Sequence, residues 1–114
     1  MHQPVPDVSR ADVERIVRRE FSGDADGALA ILDEYHSDAG DSSRVQLAVL
    51  KLAAGDIAVL RREIERAKYD FRDILVVAEY PADWEARWRI DVSPDEQQRI
   101  YEQDWQQYQS WFRR

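Results

Sequence analysis

Asp56 to Tyr80 is the stretch that most constrains this chain. It reads DIAVLRREIERAKYDFRDILVVAEY, with Gly55 before it and Pro81 after it. No Gly, Pro or Asn interrupts it, so a helix begun at Asp56 meets no breaker until the proline. At 1.5 Å per residue such a helix is roughly 35 Å long, enough to cross a small domain. Ile57, Leu60, Ile64, Ala67, Phe71, Ile74, Leu75 and Ala78 recur at steps of three and four, forming one apolar stripe. Arg61/Glu65 and Arg66/Asp70 are spaced as ladder pairs on the opposite face. From Ile74 onward Val76, Val77 and Tyr80 carry apolar surface to the other side as well, and that surface needs a cover. The ILVV run is β-branched and has a second reading: a strand over 74–78 pairing with the alternating WRIDV at 88–92, an α+β hairpin.

The flanking segments read as helices packed against this one. Residues 1–8, with Pro4 and Pro6, form a flexible lead-in. Ser9 with Asp12 makes the start of a helix carrying Val13, Ile16, Val17 and Phe21, with Val8 and Val13 as a hydrophobic staple. Asp24 caps a second helix whose stripe is Ala25, Ala28, Leu29, Leu32 and Tyr35; Gly27 weakens it. Ser42 or Ser43 caps a third, RVQLAVLKLAA, apolar nearly all round except for Arg44, Gln46 and Lys51, which places it in the middle of the domain. Gly55 closes it at the C′ position. Residues 81–92 form a connector in which one helical turn would bring Trp84 and Trp88 to a common face. VSPDE then gives Ser93 as N-cap, Pro94 at N1 and Glu96 at N3, a capping box opening a fifth helix that runs to Phe112. Gly-Asp opens a helix at 23 and again at 55, which shared turn chemistry explains without an internal repeat.

The segments RVQLAVLKLAAGD (44–56) and YDFRDILVVAEYP (69–81) are similar to stretches of small uncharacterised bacterial helical proteins. That resemblance implies helix at 74–78 and no particular function. The expected fold is all-α: a single compact bundle of about five helices over 9–114 with a long central helix.

Composition narrows the function. The net charge of −7 repels phosphate backbones. The one cluster of bases (Arg61, Arg62, Arg66, Lys68, Arg72) is interleaved with Glu63, Glu65, Asp70 and Asp73, so no nucleic acid is expected as a partner. No run of residues spans a bilayer, no signal peptide is visible and no cysteine occurs, so a soluble, cytoplasmic protein is expected. Two histidines are present, His2 and His36. The latter lies among Asp33, Glu34, Asp38 and Asp41, which reads as an acidic solvated turn because no recognised metal-binding spacing accompanies it. No phosphate loop, nucleophile elbow or paired catalytic carboxylates stand out, so no catalytic residue, metal or cofactor is expected.

The positive feature is aromatic. All four tryptophans lie in the last third of the chain, with Tyr80, Tyr101, Tyr108 and Phe112 among them. Large aromatics at helical spacing close cores, and they also dominate contact hot spots. Trp84, Trp88, Tyr101, Trp105, Tyr108 and Trp111 are the candidate binding residues. The expected function is a non-enzymatic interaction module, self-associating or binding a protein partner through this surface. The alternatives are a small-molecule pocket or modest enzyme lined by Trp84, Trp88 and Trp105, and an acidic inhibitor-like protein presenting residues 24–41 to a basic partner.

Overall fold

The computed structural model describes residues 5–36, 42–89 and 91–114. Its elements, in order, are α1 (Arg10–Glu20), α2 (Ala25–Leu32), α3 (Ser42–Ala53), α4 (Ile57–Glu79), α5 (Pro81–Ala86) and α6 (Pro94–Phe112). There is no strand among the described residues, and 74–78 is helix. The hairpin with 88–92 does not form; Ile90 of that segment lies outside the described residues. The connector holds a short helix of its own, α5, so the described residues form six helices where about five were expected.

Local chemistry explains where the elements begin. At α1 the Ser9 amide donates to the Asp12 carboxylate at 2.9 Å while the Ser9 hydroxyl accepts from the Asp12 amide, a closed capping box. At α6 only half of the box is built. Ser93 Oγ accepts from the Glu96 amide at 3.1 Å, but the Glu96 carboxylate accepts from Arg89 at 2.8 Å instead of turning back. Asp24 and Asp56 both cap their helices through the carboxylate. Ser42 and Ser43 are both inside α3, so neither is its N-cap, and residues 37–41 lie outside the described residues.

Gly27 has a definite role in the Asp24 cap. A Cβ at Gly27 would collide with an oxygen of the Asp24 capping carboxylate, so this position has no room for a side chain while the cap is made. Between α3 and α4 the chain reverses through Ala54 (φ 50°) and Gly55 (φ 82°). The glycine adopts this left-handed backbone freely; the alanine does so at a cost of about 1 kcal/mol.

The reversal makes α3 and α4 an antiparallel hairpin, the main packing pair, with α1 on α3, α2 on α4 and α1, and α6 on α5 and α4. Residues 45–50 are buried without exception, as a helix apolar nearly all round requires. Against them lie Val13, Ile16 and Val17 of α1, Ala28, Ile31 and Leu32 of α2, and Leu60, Ile64, Ala67, Ile74 and Ala78 of α4. Ile57, counted on the α4 stripe, stands exposed at its first turn. Tyr35 is buried beyond the end of α2.

The long helix is bent where no breaker stands. Asp70 has φ −154° and ψ 97°, an extended residue inside α4. Its carboxylate accepts from the Arg72 amide at 3.1 Å and from the Arg72 guanidinium at 3.1 Å. That is N-cap geometry: Asp70 caps a second helical segment that begins at Phe71. Aspartate competes with the helix in this way because its short side chain reaches the backbone two residues on. The Arg72 guanidinium holds the Asp70 carboxyl below its ordinary value. Neither spaced ladder pair forms; Arg66 reaches Glu63 at 2.9 Å and Lys68 reaches Glu65 at 2.7 Å.

Candidate functional site

The structure divides the six candidate aromatics into three environments. Tyr108 and Trp111 are buried on the inner face of α6. Tyr101 and Trp105, on the same helix, are half-buried. Trp84 on α5 is 38% exposed and Trp88, in the turn after it, is 80% exposed. The six therefore do not form one surface.

Trp111 is held from α1. Its indole N–H donates to Glu20 at 3.3 Å. Arg19 donates to the Trp111 carbonyl at 2.8 Å and lies 5.3 Å over the ring. Arg15 donates to the Phe112 carbonyl at 2.8 Å and stacks on that ring. The last carbonyls of α6 have no basic residue in their own final turn, so two arginines from the other end of the chain supply the positive charge that a helix C-terminus favours.

Trp84 and Trp88 share one arginine. The Arg87 guanidinium is 4.0 Å from the Trp84 ring centre and 5.4 Å from that of Trp88, within cation–π range of both. Arg87 makes no ion pair among the described residues, and α5 contributes no buried residue to the core. What fastens α5 is Asp104 of α6. This carboxylate, 1% exposed as a residue, accepts from the amides of Ala82 and Asp83 at 2.7 and 3.0 Å, capping the helix from across the contact. Burial pushes the Asp104 carboxyl up, and the two amides oppose that shift. Gln97 donates to Asp83 at 2.9 Å and adds a second tie.

A polar hub at the mouth of the α3–α4 hairpin went unread in the sequence. Glu79 is buried, and Arg44 grips it with two nitrogens at 2.6 and 3.0 Å, a bidentate pair. Arg44 also reaches the Tyr80 hydroxyl at 3.3 Å. Burial, with the Glu79 charge adding to it, raises the Tyr80 phenol to about 12. The Tyr108 hydroxyl is buried beside the hub with no hydrogen-bond partner among the described residues, and burial raises it further still. Arg44, a cation near the start of a nearly apolar helix, was the only sequence signal for this cluster. Gln46 is likewise buried, donating to the Leu32 and Tyr35 carbonyls at 2.9 and 3.3 Å, where α2 ends.

The alternative sites are differently disposed. Shallow grooves at the α5–α6 contact are lined by residues such as Ala82, Ala86, Ile100 and Gln103, without tryptophan. In the acidic stretch Asp33 pairs with Arg10 and Glu34 with Lys68, both at 2.8 Å, while Asp38 and Asp41 lie outside the described residues. No group of three or more metal-binding side chains comes together among the described residues. Nor is any described helix long and apolar enough to cross a membrane. No protein-family model matches the chain, and neither does any curated protein or solved structure with which it was compared.

Proposed function

We propose that the chain is a non-enzymatic interaction module that contacts a protein partner through Trp84, Arg87 and Trp88. The observation that carries this reading is Trp88, four-fifths exposed beside an arginine stacked on two indole rings. Burying a tryptophan removes 150–250 Å² of surface from water, and Trp and Arg are the residue types that dominate binding hot spots. The stacked guanidinium orders both rings before any partner arrives, which lowers the entropy lost on contact. The partner is another protein or a second copy of the chain.

The test is the double variant Trp84→Ser/Trp88→Ser. Because neither ring belongs to the core, the melting temperature and helical circular dichroism should match those of the parent. Mass by light scattering across a concentration series, and recovery of partners from the native host, are then compared for the two proteins. Loss of a complex in the variant supports the reading. Identical masses and identical recovered proteins would overturn it.

A further inference from the structure

The chain has two lysines, Lys51 and Lys68, and the fold gives them opposite surroundings. Lys68 stands on the open side of α4, where its ammonium donates to Glu34 at 2.8 Å and to Glu65 at 2.7 Å. Those two carboxylates hold it in the charged form, and its pKa is raised. Lys51, in the last turn of α3, is partly buried and makes no ion pair among the described residues. It lines an open groove of about 700 Å³ together with Glu20, Ala54, Gln107, Ser110, Trp111 and Arg114. The charged groups set around it are Glu20 from α1 and Asp104 and Arg114 from the α6 side. Glu20 is already engaged by the Trp111 indole N–H. Burial disfavours the Lys51 cation, Asp104 pulls the other way, Arg114 adds to the effect of burial, and the net shift is downward.

A lysine that is desolvated and close to another cation keeps a larger share of its amine uncharged, which is what attack on a carbonyl carbon requires. We propose that Lys51 is a carbonyl-binding site, forming an imine with a small aldehyde that carries an acid group, seated in this groove with the acid group toward Arg114. The amine lone pair adds to the carbonyl carbon as the carbon–oxygen π bond opens. A proton passes from nitrogen to oxygen, and water leaves as the carbon–nitrogen double bond forms. No oxidant or reductant enters the step. Ala54 and Trp111 give the groove an apolar wall, and the exposed Ser110 hydroxyl offers a hydrogen bond to the remainder of the ligand, while the Gln107 amide nitrogen is engaged by the Ala78 and Glu79 carbonyls.

The second lysine is an internal reference for the test. The folded, full-length protein is treated with limiting glyoxylate and cyanoborohydride, and each lysine is quantified by peptide mass spectrometry. Near neutral pH, Lys51 should be labelled several-fold faster than Lys68. The ratio should fall in strong alkali, where both amines are uncharged. Arg114→Gln should slow labelling of Lys51 by glyoxylate and leave its labelling by acetaldehyde unchanged. Ser110→Phe, which narrows the groove from its exposed rim, should slow both aldehydes at Lys51 and neither at Lys68. Labelling of Lys68 as fast as Lys51 would overturn the proposal, as would a preference for Lys51 that persists in urea. An unchanged glyoxylate rate in Arg114→Gln would overturn the assignment of the acid group.

Discussion

Arg44 and Tyr108 meet the same polar hub, yet their replacement should have opposite consequences. Removing the guanidinium in Arg44→Met leaves the buried Glu79 carboxylate without its cationic partner, which should cost about 3 kcal/mol. Tyr108→Phe deletes a hydroxyl that is desolvated and unbonded, so stability should hold or rise by up to about 1 kcal/mol. Urea denaturation of the two variants at constant slope measures both effects, and a comparable loss in each would refute the geometry of the hub. Gly27 supports a second residue-scale test. Gly27→Ala should gain about 1 kcal/mol in helix propensity, but its Cβ displaces the Asp24 carboxylate, whose cap is worth about the same. The single variant should therefore be close to neutral. In an Asp24→Ala background, where there is no cap to lose, the same substitution should stabilise, and absence of that coupling would show that the cap and the glycine are independent.

Among the elements, α4 and α5 depend on aspartates that the sequence pattern did not mark as caps. Asp70→Ser keeps a capping side chain and should preserve the bend at little cost, whereas Asp70→Leu should lose about 1 kcal/mol; equal stabilities would mean that the carboxylate does not hold the second segment of α4. Asp104 makes a pH prediction. Its folded pKa is raised, so the native state binds its proton more tightly than the unfolded chain does. Its ionisation therefore removes stability as pH rises from the ordinary carboxylate value through the raised one. The stability of the parent relative to Asp104→Asn should be greatest in acid and decline across that window; a difference that grows with pH would contradict the burial of this carboxylate.

These two aspartates also mark the limit of what was legible in the sequence. Caps that act within a few residues, at Ser9, Asp24, Asp56 and Ser93, were readable because capping is local. The apolar stripe of α4 was readable because helical periodicity is local too. Asp104 caps a helix more than twenty residues upstream, and Arg44 pairs with Glu79 across the hairpin; neither partner can be found from spacing alone. Asp70 was hidden for another reason. An aspartate on a charged face reads as a solvated residue, and only the fold shows it competing with the helix backbone.

At the scale of the whole molecule the chain is closed end on end. Arg15 and Arg19 of α1 hold the final carbonyls of α6, so the first and last helices stabilise each other. Arg19→Met should lower the melting temperature and speed amide exchange in the last turn of α6 more than anywhere else; uniform exchange would argue against the clasp. This closure is also what separates the aromatics. Trp111 and Tyr108 are buried, Trp111 held against α1, while α5 and the turn after it, which hold Trp84 and Trp88, add no buried residue to the core. The candidate binding residues, read as a group from their spacing, are thus distributed by helix closure that spacing does not encode. The central claim is that the outer pair meets a partner. A photo-crosslinking amino acid at position 88, compared in the native host with the same group at position 69, tests it most directly, because Tyr69 is 95% exposed and lies on a different helix. A discrete crosslinked species from position 88 that is absent from position 69 is the expected result. The same diffuse background from both positions would contradict the account.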